Sequence, residues 1–306
     1  EGFVLLLNEK TNGKPALPIA TDANKKAKVS VFGHNSVNLV LGGSGSGGIS
    51  GESSTTLYDS LDNNNFEYNP TLKSFYESKA AGDTRTTNLK LSDSTSTSPT
   101  LDIGETPVAN YTSNVKGSFK NYNDAAIVVL SRVGGESFDV PRVQSTKGGI
   151  EGNHYLQLDQ NEYDMLDMVT ARFDTVIVLI NTIQSFQCDF IEEYNNTPDN
   201  PIDAVMWIGG PGTTGAEAIG EILSGKVNPS GRTVDIYAKD FTKDPVWVNF
   251  GDNSQSSADG KSATSYLKTK SGYNIITYEE GVYLGYRYYE TRGYEEAKAG
   301  NTEWYD

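Results

Sequence analysis

The chain has 306 residues, 36% of them hydrophobic, and 40 acidic against 25 basic residues give a formal net charge of −15. That length supports one large domain or two smaller ones with a full core, while the acidic field repels phosphate backbones and anionic headgroups and so argues against nucleic-acid and membrane partners. With Cys188 as its single cysteine the chain has no intrachain disulfide and no thiolate metal cluster.

The sequence opens on EGFVLLLNEK, with an acid where the basic region of a signal peptide would lie, so the start reads as cut, and so does the closing NTEWYD. The compartment stays open between bacterial cytoplasm and secretion. The longest apolar run is far too short to span a bilayer. KVSVFG (28–33) reads as a buried strand ended by glycine. After a glycine-rich loop, residues 55–79 hold two helical pieces around the short strand FEYN, and 83–123, rich in Ser, Thr and Asn, read as a long surface excursion. AAIVVLSR (125–132), TVIVLINT (175–182) and AVMWIGG (204–210) lack polar alternation, the pattern of parallel strands buried on both faces.

Between those strands, DQNEYDMLDMVTARF (159–173) predicts a helix with Asp159 as N-cap and Glu162 completing a capping box. Its Tyr163, Leu166, Val169 and Phe173 share one face toward the sheet. TGAEAIGEILSG (214–225) sets Thr214 and Glu217 in the same relation and stops at Gly225. The alternation predicts a doubly wound α/β fold with a mostly parallel sheet covered by helices. Past residue 240 the pattern weakens, and YEEGVYLGYRYYE (278–290) reads as a segment packed against something else.

GSGSGG (43–48) fits G-x-G-x-x-G, but a dinucleotide fingerprint joins a strand directly to a helix. Here the strand ends near Gly33, and no P-loop lysine follows. What the loop offers is close backbone approach to a ligand and the hydroxyls of Ser44 and Ser46. His34 and His154 have no metal-ligand spacing, no G-x-S-x-G occurs, and Cys188 lies between aromatics as a half-buried inert thiol. The remaining candidate is Glu136 in AIVVLSRVGGESFDVP (126–141). It follows a buried strand, beyond whose carboxyl end open α/β sheets bind ligands. Gly134 and Gly135 clear space for a substrate, and Arg132 and Asp139 are close enough in sequence to brace the loop. A carboxyl there is either a solvated surface acid or a partly desolvated proton donor with a raised pKa. The residues alone leave both readings standing.

Taken together, five segments resemble the second domain of glycoside hydrolase family 3: EGFVLLLNE with ALPI (16–19), VSVFGHNS with GGSGSG, AIVVLSRVGGESFD, GKVNPSGR (225–232) and YEEGVYLGYRYYE. Their order and spacing agree along nearly the whole chain. The resemblance implies a flavodoxin-like α/β sandwich that packs against a (β/α)8 barrel. It also implies a retaining, exo-acting β-glycosidase, most often a β-glucosidase, that cleaves terminal β-linked sugars from an oligosaccharide or β-glucoside without a cofactor. Carried over by position, Glu136 is the general acid/base, Ser46 reaches a hydroxyl of the terminal sugar, and Gly45 and Gly47 shape the rim. Two departures stand out: Ser137 replaces the glycine usual after the acid, and GRTVDIY lacks the family's proline.

In that family the nucleophile is an aspartate in an S-D-W motif on the barrel; here only LSDS (91–94) occurs, inside the polar excursion. The expectation is therefore a sandwich domain over 1–240 and a peripheral extension over 241–306 leading toward a fibronectin-type domain. The catalytic barrel is absent from this chain, which is inactive by itself. Two alternatives stand beside it: a non-catalytic module that only shapes the aglycone side, and a flavodoxin-like cofactor binder.

Overall fold

The computed structural model describes the chain apart from residues 12–13, 22–23, 51–52, 88–100, 137–139, 145–146, 198–200, 250–266, 271–272, 277–279 and 302–306. It divides into two compact units, Glu1–Phe186 with Phe190–Arg232, and Gln187–Asp189 with Thr233–Asp306.

The first unit is built on a six-stranded sheet. Its strands are β1 (Val4–Asn8), β4 (Ala27–Phe32), β5 (Phe66–Tyr68), β6 (Ala125–Arg132), β7 (Val176–Thr182) and β8 (Ala204–Trp207); the short strands β2 (Lys10–Thr11) and β3 (Lys14–Pro15) pair separately. The order across the sheet is β1-β8-β7-β6-β4-β5. All neighbours run parallel except β1, which pairs antiparallel with β8. Counted along the chain, the parallel strands lie in the order 2-1-3-4-5, that of a flavodoxin-like sheet. The chain reverses its direction of travel across the sheet between β4 and β6.

Every residue of β6 and β7 is buried, as the unalternating apolar runs require. One face sends Val29, Val31, Ile127, Val129, Ile177, Leu179 and Met206 into a core with Leu57, Leu61, Ile219 and Leu223, from α1 (Leu57–Asn63) and α6 (Glu217–Leu223). On the other, Phe32 meets Phe119 and Phe173 edge-on at centroid distances of 5.1 and 5.4 Å. Burying each aliphatic side chain contributes about 1.5–3 kcal/mol, so the two-sided sheet supplies most of the fold's driving force.

Local signals set the helix starts. Thr56 and Asp59 form a capping box on α1, and Asn69 caps α2 (Pro70–Tyr76) with proline in the first turn. Asp159 and Glu162 form the expected box on α4 (Gln160–Thr170). On that helix Leu166 and Val169 are fully buried, and Phe173, three residues past its end, is nearly so. Tyr163 sits half-buried at the flank and donates to Glu193 of α5 (Asp189–Asn195) at 3.2 Å.

Two expectations are corrected. Thr214 does not cap α6, which starts after Ala216 without a side-chain cap. The Glu217 carboxylate instead accepts from Asn63 of α1 and from Asn64, the residue that closes that helix, at 3.1 and 3.3 Å. Nor is 83–123 a surface excursion throughout: Leu101, Ile103, Tyr111, Val115 and Phe119 are buried, with α3 (Ser113–Ser118) among them. Phe119 belongs to the layer over Phe32, so this stretch covers one face of the sheet. The LSDS tetrapeptide lies outside the described residues.

Taken by itself, the second unit holds α7 (Pro245–Asn249), a hairpin of β9 (Leu267–Lys270) and β10 (Tyr273–Ile276), and α8 (Tyr286–Lys298). Tyr289 donates to Asp244 at 3.1 Å. Among the described residues, no helix is long and apolar enough to cross a membrane.

Candidate active site

Where a parallel sheet reverses its winding, the loops leaving two adjacent strands diverge and open a crevice beyond the strands' carboxyl ends. In this chain the two strands are β4 and β6, and the loops that follow them meet. Gly45–Gly47 form one turn of 3-10 helix, and Glu136 lies four residues past Arg132, the last residue of β6. Ser46 donates twice to a single oxygen of Glu136: its N–H at 2.9 Å and its hydroxyl at 2.6 Å, both to Oε2.

The glycines make this approach possible. A Cβ on Gly45 would lie 2.4 Å from Glu136 Oε2, and its φ of +64° is one that L side chains rarely adopt. A Cβ on Gly135 would lie 1.9 Å from Ser44 Oγ and 2.3 Å from the Ser44 backbone nitrogen. Gly47 is exposed with open space at its Cβ position.

Glu136 is itself exposed, and the two Ser46 bonds, hydroxyl first and N–H second, hold its carboxyl below the ordinary carboxylate range. Of the two readings open at Glu136, these surroundings match the solvated acid: the two donors that favour the charged form outweigh the small opposing effect of burial. Arg132, expected to brace the Glu136 loop, directs its guanidinium into the core. There it pairs with Glu162 through two 2.7 Å bonds and donates to the carbonyls of Ser131, Tyr155 and Gln157. The segment it ties down is 155–157. Asp139 lies outside the described residues.

Sequence reasoning missed the residue that ties the rim together. Asn181, fully buried near the end of β7, accepts from Val40 N–H and Ser131 Oγ and donates to the carbonyls of Val40 and Gly209. One amide thereby links β6, β7 and the loops after β4 and β8. The available signal was a lone asparagine closing the apolar run TVIVLINT. Gln184, just beyond β7, donates to the Val133 carbonyl at 3.3 Å and flanks Gly134.

The glycine run GSGSGG opens no α-helix, since its 3-10 turn ends at Gly47 and α1 begins only at Leu57. Burial pushes the Cys188 thiol up to about 12, which leaves it a poor nucleophile at neutral pH. Among the described residues the rim thus holds a carboxylate and a hydroxyl 2.6 Å apart, a pair able to hold and pass a proton and to hydrogen-bond a polyol.

The glycosyl hydrolase family 3 C-terminal domain matches residues 3–286. β-Glucosidase A of Butyrivibrio fibrisolvens is 27% identical over 308 residues, which cover 95% of this chain and 31% of that protein. A β-glucosidase of Ruminococcus albus is 28% identical over 55% of this chain and 14% of its own length. The chain thus spans less than a third of either relative. Among solved structures, a β-glucosidase from Paenibacillus barengoltzii is similar with a TM-score of 0.68 and 28% identity, over 94% of this chain and 26% of that one. β-Glucosidase 3B of Thermotoga neapolitana shares the fold with a TM-score of 0.67 and 22% identity, over 95% of this chain and 34% of its own.

Proposed function

The chain belongs to glycoside hydrolase family 3 as its C-terminal domain, and from that premise we propose that it forms the acid/base wall of a retaining, exo-acting β-glucosidase. A (β/α)8 barrel of the same enzyme supplies the aspartate nucleophile, and the second unit leads on toward a further, fibronectin-type domain. The reading is carried by the meeting of Ser46 and Glu136 at the point where the sheet reverses its winding, with Glu136 Oε2 2.6 Å from the Ser46 hydroxyl. The choice of a β-glucoside rests on the β-glucosidases to which the chain is similar.

Retention requires two carboxyls about 5–5.5 Å apart, one to attack the anomeric carbon and one to protonate the leaving oxygen. Glu136 takes the second role. It delivers its proton to the glycosidic oxygen as the C–O bond breaks, then removes a proton from the water that releases the sugar. Ser46 hydrogen-bonds a hydroxyl of the terminal sugar, and Gly45 and Gly47 keep the rim free of side chains. Glu136 is ionised while its site is open to water; enclosure by the barrel and the sugar strips that water and raises its proton affinity.

The test is E136A in the complete enzyme. Turnover of cellobiose should collapse, aryl glucosides with good leaving groups should be spared in the first step, and azide should partly restore turnover. Unchanged cellobiose kinetics would remove Glu136 from the chemistry. The low proton affinity of Glu136 also favours a second reading, in which the rim only binds the aglycone side. S46A/E136Q should then weaken affinity and leave turnover intact.

A further inference from the structure

We propose that Ser46 is a positioning residue that holds Glu136 as a carboxylate in the resting site and releases it when a sugar hydroxyl takes over its hydrogen bond. The inference rests on the acid/base reading of Glu136 and adds a device that couples substrate entry to the loading of the catalytic proton.

Both Ser46 donors converge on Oε2, and the Glu136 side chain lies across Gly45, where any Cβ would collide with its Oε2 and Cβ. The absence of a side chain at Gly45 is what lets the contact close. A serine hydroxyl has one proton and donates to one acceptor at a time. If Ser46 kept donating to Glu136 after the sugar bound, its hydroxyl would go on favouring the charged form and oppose loading of the proton. An incoming sugar oxygen that accepts the Ser46 proton breaks the Oγ–H···Oε2 bond, the stronger of the two influences that keep Glu136 ionised. Ser44, Gly45, Ser46 and Gly47 on the facing turn carry no charge, and Arg132, nearest on β6, is committed to Glu162. Once released, and before the site closes to solvent, Glu136 takes one proton from a hydronium ion, which leaves as water. It passes that proton to the glycosidic oxygen as the bond to the anomeric carbon breaks and the nucleophile's oxygen bonds that carbon.

The pH dependence of the complete enzyme tests this. The basic limb of kcat/KM reports Glu136 in the free site, and that of kcat reports it in the substrate complex. In the wild type the kcat limb should lie about one pH unit above the kcat/KM limb, a tenfold difference in proton affinity. S46A should move the kcat/KM limb up toward the kcat limb and leave the kcat limb in place, and S46T should restore the separation. A carbon-13 titration of the Glu136 carboxyl should likewise show its pKa rising when glucose is added. Coincident limbs in the wild type, or S46A moving neither limb, would overturn the latch. Were E136Q still to abolish cellobiose hydrolysis, the acid/base reading would survive that failure; full activity in E136Q would remove both.

Discussion

Asn181, near the end of β7, and Val40, in the loop after β4, exchange two hydrogen bonds: Asn181 Oδ1 accepts from the Val40 N–H at 2.7 Å, and Asn181 Nδ2 donates to the Val40 carbonyl at 2.9 Å. The same amide also bonds Gly209 O and Ser131 Oγ, so both its donors and its acceptor are engaged with no exposure to water. Replacing it by alanine leaves the Val40 N–H and carbonyl buried without partners, and each such group costs about 1–3 kcal/mol. N181A should lower stability to urea by about 2–4 kcal/mol and speed hydrogen exchange at the Val40 amide. An unchanged exchange rate there would show that the loop after β4 is held by something else.

Gly135 and Gly47 lie on the same rim but differ in the space around them. A Cβ at Gly135 meets the Ser44 backbone nitrogen at 2.3 Å, an atom that cannot swing away, whereas one at Gly47 meets nothing within 4 Å. G135A should therefore cost about 1–3 kcal/mol and displace the Glu136 loop, while G47A should stay within about 0.5 kcal/mol of the wild type in stability. Equal melting temperatures for the two variants would mean that the loops yield freely.

Arg132 and Glu162 form a buried, two-pronged ion pair, with the guanidinium also stacked 4.9 Å from the Phe186 ring. Removing one member of such a pair strands the other charge, at about 3–5 kcal/mol. R132M should show that loss in urea unfolding. R132M/E162Q should recover part of it, because glutamine is neutral yet still caps the Asp159 N–H as Glu162 does at 3.0 Å. A double variant no more stable than R132M would place the cost in lost packing, not in the orphaned carboxylate.

Much of the fold was legible because its signals are local or strongly repetitive. β6 and β7 have no polar residue before their last turn, and the Asp159–Glu162 box lies within four residues of sequence. The same box pattern failed at Thr214 because Glu217 found amide partners on α1, an interaction between residues about 150 positions apart. In 101–119 the buried Leu101 and Ile103 lie two apart and Tyr111, Val115 and Phe119 four apart, but each run is too short to stand out from the polar residues around it. At the rim, sequence singled out Glu136 and Ser46 as candidates but left the proton affinity of Glu136 open between a solvated acid and a desolvated donor. That affinity depends on Ser46 standing opposite, and neither loop specifies this alone.

Asp159 offers a test of buried charge away from the rim. It is fully buried, its Oδ1 accepts from the Glu162 N–H at 2.8 Å, and its Oδ2 has no hydrogen-bond partner among the described residues. Burial first, and the neighbouring Glu162 carboxylate second, push its pKa well above the ordinary aspartate range. The folded chain thus keeps its proton at pH values where the unfolded chain has lost it. Below the ordinary aspartate range both states are protonated and the residue costs nothing. As pH rises from there toward neutrality the unfolded state gains the freedom to ionise, and stability falls by at most about 1.4 kcal/mol per unit. Asn in its place caps a helix equally well and does not titrate. The stability of D159N relative to the wild type should therefore grow by up to about 4 kcal/mol between pH 4 and 7 and level off once the folded Asp159 also ionises, at about 8. A difference that stays flat across this range in urea titrations would mean that Asp159 is ionised throughout and compensated by Arg132.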